Sequence, residues 1–187
     1  MEIFSWIING ILIENVILSR FLGTCPFIGV SKNKDSALGM GLAVTIVILL
    51  SSILSWITYH FILVPFKMIY LKTIVFILII ASFVQMLEMI IKKIAPSLHK
   101  SLGIYLPLIT TNCSVLGIAL IVANYSFFHL IVMSFASGIG FLFVIYIFST
   151  IRQKIEDANI PKCFKDIPIA LITAGIMAMI INRFSGV

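Results

Sequence analysis

Two cysteines lie in apolar sequence: Cys25 in Thr24-Cys25-Pro26-Phe27-Ile28-Gly29, and Cys113 in Asn112-Cys113-Ser114-Val115-Leu116-Gly117. Each is followed four residues later by glycine. Each also has helix-disrupting neighbours, Gly23 and Pro26 for the first, Pro107 and Asn112 for the second. One such cysteine alone is ordinarily a small buried hydrophobe. A matched pair points to metal chemistry, because thiolates ligate iron–sulfur clusters and tetrahedral metals. Those centres take four ligands and this chain offers two, so the simplest source of the others is a second, similarly built subunit. Cys163, beside Pro161, Lys162 and Lys165 in the hydrophilic segment 152–166, reads as an incidental loop cysteine. Three widely spaced cysteines make no disulfide framework of the secreted type. His60, His99 and His129 fall at predicted helix ends, where an interfacial role suits them, and none adjoins a cysteine.

Two carboxylates interrupt apolar runs: Glu14 beside Asn15, and Glu88 three residues after Gln85. Charge at membrane depth is costly and often marks an ion or proton path, so both are candidate ion-path residues. Glu14 equally suits a structural hydrogen bond to a neighbouring helix. Glu88 and Lys92, four apart, suit an interfacial ion pair. Gly39, Gly41, Gly138 and Gly140 sit in or at the edge of predicted membrane helices and read as close-packing positions. No Walker motif, dinucleotide fingerprint or zinc-protease motif occurs, so chemistry on a soluble substrate is not expected in this chain.

The elements that must position these residues are membrane helices. Of 187 residues 61% are hydrophobic and 11% charged, against about 25% charged in soluble domains, and mean hydropathy is +1.19. That apolar excess must face lipid. The net charge of +6 resides in loops, as the positive-inside bias predicts, and does not imply a nucleic-acid partner. The opening MEIFSWIING lacks the basic start of a cleavable signal, so the first span is expected to be retained. A crossing takes about 20 apolar residues. The expected spans are Ile3 to Leu22, Leu38 to Val64, Leu71 to Ile91, a fourth beginning near Ile104, Phe128 to Thr150 and Ile167 to Arg183. Between Lys100 and Arg152 there is no charged residue, a length that demands two helices with a turn at Asn124-Tyr125-Ser126.

One set of loops collects Arg20, Lys32, Lys34, Lys92, Lys93, Lys100, Arg152, Lys154, Lys162 and Lys165; the other collects Lys67, Lys72 and Arg183. The richer loops are expected in the cytoplasm and both termini outside. Six spans divide into two groups of three, and an odd number per group requires any repeat to be inverted. The matching cysteine segments fall in corresponding parts of residues 1–95 and 96–187. The expected fold is all-α: one membrane domain of six helices in two inverted three-helix repeats, discontinuous near Cys25 and Cys113. Broken backbone at membrane depth is tolerated inside protein or around a cavity.

Phe21-Leu22-Gly23-Thr24-Cys25-Pro26-Phe27-Ile28-Gly29-Val30-Ser31-Lys32 and Leu106-Pro107-Leu108-Ile109-Thr110-Thr111-Asn112-Cys113-Ser114-Val115-Leu116-Gly117 resemble the signatures of the A subunits of Rnf complexes. The likeness extends through Gly39-Met40-Gly41-Leu42-Ala43, Gln85-Met86-Leu87-Glu88-Met89, residues 169–175 and Phe184-Ser185-Gly186, nearly the whole chain. The resemblance implies a subunit of an ion-translocating ferredoxin:NAD⁺ oxidoreductase in a bacterial cytoplasmic (inner) membrane, coupled to Na⁺ or H⁺. It implies a homologous E subunit of opposite topology, with two cysteines from each holding one 2Fe–2S cluster: here Cys25 and Cys113. Other subunits (B, C, D and G) would carry the remaining clusters, the flavins and the NAD site, leaving no flavin or NAD in this chain. Asp166 stands where the family pattern implies glycine.

The E subunit of the sodium-pumping NADH:quinone oxidoreductase is similar and also has a Glu-Asn pair like Glu14-Asn15. Cys25-Pro26-Phe27 and Thr110-Thr111-Asn112 read more like the Rnf version. A small secondary transporter would share inverted repeats, broken helices and membrane-depth acids. A purely structural assembly subunit would use Cys25 and Cys113 only for packing.

Overall fold

In a computed structural model, the structure describes residues 22–31, 34–67, 69–94, 109, 112–156, 161 and 164–185. Among the described residues there is no strand. The helices are α1 (Thr24–Val30), α2 (Lys34–Thr58), α3 (Lys72–Ile94), α4 (Cys113–Val122), α5 (Phe127–Glu156) and α6 (Ile167–Ser185). α2 continues into a π-helical turn, Tyr59–Leu63, and a 3₁₀ turn, Ile69–Leu71, precedes α3. Helices are the natural outcome, since an apolar segment in lipid must satisfy its backbone internally and neither α2 nor α5 contains a proline.

Three helical stretches are long and apolar enough to cross a membrane: Lys34–Leu63, Ile69–Ile90 and Phe127–Ile155. They match the expected second, third and fifth spans. α6 matches the sixth, and its apolar part, Ile167–Ile181, is shorter. The expected first span, except Leu22, and the start of the fourth near Ile104 lie outside the described residues.

The centre of the fold is the antiparallel pair α2 and α5. Gly41 meets Leu142, and Thr45 meets Gly138 so closely that a Cβ on Gly138 would stand 2.6 Å from Thr45 Cγ2 and 3.1 Å from Thr45 Cα. The Thr45 hydroxyl lies 2.7 Å from Gly41 O and 3.0 Å from Gly138 O, so its one proton is shared between its own helix and the neighbour. The packing role expected of Gly41 and Gly138 is therefore present. Gly39 departs from that expectation, with nothing within 4 Å of where its Cβ would be. Around this pair Phe27, Met40, Val44, Ile48, Phe76, Val115, Leu130, Ile145 and Phe148 form one buried core.

The two ends of the bundle differ in chemistry. At one end Trp56 Nε1 donates to Tyr125 O at 3.1 Å, Trp56 stacks on His60, and Tyr125 stacks on His129. This is an aromatic belt of the kind found at a membrane–water interface, and it accounts for two of the three histidines. His99 lies outside the described residues. The opposite end carries Lys34 at the start of α2, Lys92 and Lys93 at the end of α3, and Arg152 and Lys154 at the end of α5.

Candidate functional site

The residues before α1 lie across the first turn of α4. Gly23 N–H donates to Cys113 Sγ at 2.9 Å, and Ser114 Oγ donates to the Leu22 carbonyl at 2.8 Å. These two bonds join segments about ninety residues apart. Gly23 makes the join possible. Its φ is +85°, in the left-handed region that glycine occupies without a steric penalty, and a Cβ there would collide with Ser114 Oγ. Asn112 caps α4, its Oδ1 accepting from Ser114 N at 3.0 Å.

Cys113 is the first residue of α4 and Cys25 the second of α1. Chain reach alone puts the Cys25 Cα within roughly 12 Å of the Cys113 sulfur, given the Gly23 bond. Both thiols are free; Cys25 is exposed and Cys113 half-buried. Cys113 opens on a cavity of about 370 Å³ lined by Leu22, Leu116, Gly117, Leu120 and Ile121. The arrangement offers one thiol, Cys113, at an apolar recess, with the exposed Cys25 two residues beyond the Gly23 turn that contacts it. Among the described residues no group of three or more His, Cys, Asp or Glu side chains converges.

Contacts along α5 give the depth. The Gly23 Cβ position is 3.2 Å from Phe141 Cε2, Phe27 stacks on Phe148 with centroids 4.1 Å apart, and Arg152 Nη1 donates to Ile28 O at 2.6 Å. α1 therefore advances beside α5 in the same sense, towards the basic end. α4, joined to α5 by a short turn, runs the opposite way. Its far end is held by Lys72, whose Nζ donates to Leu120 O at 3.2 Å and lies 5.0 Å from the Tyr59 ring centroid. A cation suits the C-terminus of a helix. The two short helices thus start from one level and diverge. That level is near Phe141, about halfway along a helix of roughly 45 Å.

The end of α1 is clamped by a residue that composition marks only as a loop cation. Arg152 is buried on α5, donates to Ile28 O and, at 2.8 Å, to Ser31 Oγ, and lies 3.6 Å from Asp166 Oδ1. Asp166 has φ +73°, in the left-handed region that glycine occupies without a steric penalty, which suits the glycine expected at this position.

The acidic candidates lie elsewhere. Glu88 is half-buried on α3 and continues the inward stripe Phe76, Ile80, Val84 at four-residue spacing. The ion pair with Lys92 that their spacing permits is not formed among the described residues, Lys92 being exposed. Glu14 and Cys163 lie outside the described residues.

The fold is that of a helical protein with three stretches long and apolar enough to cross a membrane, and near the middle of α5 it brings the segments carrying Cys25 and Cys113 together. The family described as "Rnf-Nqr subunit, membrane protein" matches residues 3–187, and the chain belongs to it. The A subunit of an ion-translocating oxidoreductase complex from Buchnera aphidicola subsp. Baizongia pistaciae is 49% identical over 100% of this chain and 97% of its own length. The A subunit of a Na⁺-translocating ferredoxin:NAD⁺ oxidoreductase complex from Acetobacterium woodii is 50% identical, covering 100% and 98%. Its counterpart in a proton-translocating ferredoxin:NAD⁺ oxidoreductase complex from Clostridium ljungdahlii is 48% identical, covering 96% and 94%. The last two names differ in the ion while the identities barely differ. Overall similarity thus carries the translocating complex and not the choice of cation.

Proposed function

We infer that this chain serves as the A subunit of an ion-translocating ferredoxin:NAD⁺ oxidoreductase, and that Cys25 and Cys113 contribute two of the four thiolates of an iron–sulfur centre completed by a homologous subunit. The observation that carries this is the Gly23 N–H bond to Cys113 Sγ, which ties two remote cysteine segments into one site. The donor set supports this: two free thiols on adjoining segments, Cys113 at the edge of an apolar recess, with the Gly23 N–H donating to its sulfur. A 2Fe–2S cluster bound there would supply one-electron storage. Thiols halfway along α5 divide a crossing of about 30 Å of hydrocarbon into two shorter legs. The opposed directions of α1 and α4 support two inverted repeats, 1–95 and 96–187, and an E-like partner of opposite topology.

The basic end faces the cytoplasm in this reading, leaving both termini outside a bacterial cytoplasmic membrane. A cluster held by Cys25 and Cys113 would relay single electrons between a cytoplasmic-side donor and a flavin of another subunit, with movement of Na⁺ or H⁺ coupled to it. Glu14 and Glu88 are the acids available to an ion path, and Glu88→Gln should slow ion uptake into vesicles; unchanged uptake would remove it from the path. The names of the relatives favour the ferredoxin-linked complex over the NADH:quinone enzyme. A secondary transporter or a passive assembly subunit has no need of paired thiols at mid-depth. The test is EPR of the purified complex carrying Cys25→Ala or Cys113→Ala. A membrane-cluster signal should disappear with electron transfer; a full signal with full turnover would refute the assignment.

A further inference from the structure

Thr58, Ser82, Thr150 and Thr173 each donate to the carbonyl four residues earlier, the usual arrangement for a hydroxyl within a helix. Ser114 departs from it. As the second residue of α4 it has no turn of its own helix behind it, and its hydroxyl donates to the Leu22 carbonyl, 92 residues away in sequence. Its backbone N–H is already held by the Asn112 cap. The residue is fully buried, so water is no ready replacement for the hydroxyl.

The Leu22 carbonyl and the Gly23 N–H belong to one peptide group. Consecutive residues of α4 therefore hold both ends of a single planar unit: Ser114 Oγ lies 2.8 Å from the oxygen, and Cys113 Sγ lies 2.9 Å from the nitrogen. The first bond acts on the second in two ways. It fixes the plane of the peptide, which aims the N–H at the sulfur. It also draws electron density towards the oxygen and leaves the N–H a stronger donor, since linked hydrogen bonds strengthen one another by about 10–30% each. Hydroxyl and turn are fitted closely, because a Cβ on Gly23 would collide with Ser114 Oγ.

We propose that Ser114, by donating to the Leu22 carbonyl, sets the strength of the Gly23 N–H bond to the Cys113 sulfur and thereby raises the reduction potential of the centre held by Cys25 and Cys113. Ser114 is a positioning residue, acting through the Leu22–Gly23 peptide. This rests on the reading that the cysteines hold an iron–sulfur centre. Reduction adds negative charge to the ligating sulfurs, and an N–H donor stabilises the reduced form more than the oxidised one. Weakening that donor lowers the potential.

The test is an EPR-monitored redox titration of the intact complex carrying Ser114→Ala, with Ser114→Thr as the variant that keeps the hydroxyl. The signal followed is the one that Cys113→Ala removes. Alanine should leave its intensity unchanged while the reduced-to-oxidised ratio at a fixed potential falls about tenfold, a drop in midpoint of about 59 mV for one electron. Threonine should stay close to wild type. If alanine prevents assembly, pulsed EPR of the wild-type complex containing isotopically labelled glycine decides: the reduced centre should couple to a glycine amide nitrogen, and the lack of any coupling would overturn the proposal. An unchanged midpoint with a full signal in the alanine variant would also overturn it, as would an equal fall in the threonine variant or a stability loss with no change in potential. A complex whose signals are all indifferent to replacement of Cys25 and Cys113 would overturn the underlying assignment instead.

Discussion

Replacing Arg152 with methionine should destabilise the protein by about 3–5 kcal/mol, whereas Asp166→Asn should cost less than about 1 kcal/mol. The difference follows from where the charge is placed. The Arg152 side chain is 4% exposed, and its Nη1 donates to Ile28 O at 2.6 Å and Ser31 Oγ at 2.8 Å. Bonds from a charged donor contribute about 1.5–3 kcal/mol each, and their loss leaves Ile28 O with only the long, 3.4 Å bond from Ser31 Oγ. Asp166 is 56% exposed and 3.6 Å away, so its contribution is screened by solvent. Thermal unfolding of the detergent-solubilised complex, followed through this chain, should show a fall of about 10 °C for Arg152→Met and about 2 °C or less for Asp166→Asn. The freed α1 also lets Cys25 shift, so the cluster signal should broaden or weaken in the arginine variant alone. Equal losses in the two variants would refute the reasoning, as would wild-type behaviour of Arg152→Met.

Other consequences follow from backbone and packing. Gly23→Ala must hold an L side chain at φ +85°, at about 1–2 kcal/mol, and also displace Ser114. It should abolish the cluster signal as measured by EPR. Gly138→Ala forces α2 and α5 apart at Thr45 and should cost about 1–3 kcal/mol in unfolding experiments, while Gly39→Ala, with open space around it, should be neutral or gain up to about 1 kcal/mol. Asp166→Gly trades an exposed ion pair for relief of the left-handed backbone, so its melting temperature should stay close to wild type and above that of Asp166→Ala.

What could be read before folding was set by charge punctuation and by repetition. α2, α3, α5 and α6 were legible because Lys34, Lys72, Arg152 and Arg183 bracket long uncharged runs. The cysteines were legible because two similar segments recur. Arg152 shows the limit: composition counts it as a loop cation, and only the path of α1 beside α5 turns it into a clamp. Asn112 registered as a helix disrupter, but its cap depends on which of its atoms faces Ser114. Gly39 and Gly138 look alike in sequence; only Gly138 has a helix against it. The Glu88–Lys92 pair failed for a related reason, since spacing brings two residues to one helix face without fixing long, solvated side chains.

The proposed role of Cys25 and Cys113 as half of an intersubunit iron–sulfur site can be measured by composition. Its most direct test is iron and acid-labile sulfide analysis of this protein purified with its homologous partner, wild type against Cys25→Ser, Cys113→Ser and the double variant. Iron and sulfide should be present in equal amounts in the wild-type pair and both should be lost in every variant, with the two proteins still associated. Undiminished iron and sulfide in the double variant would contradict it.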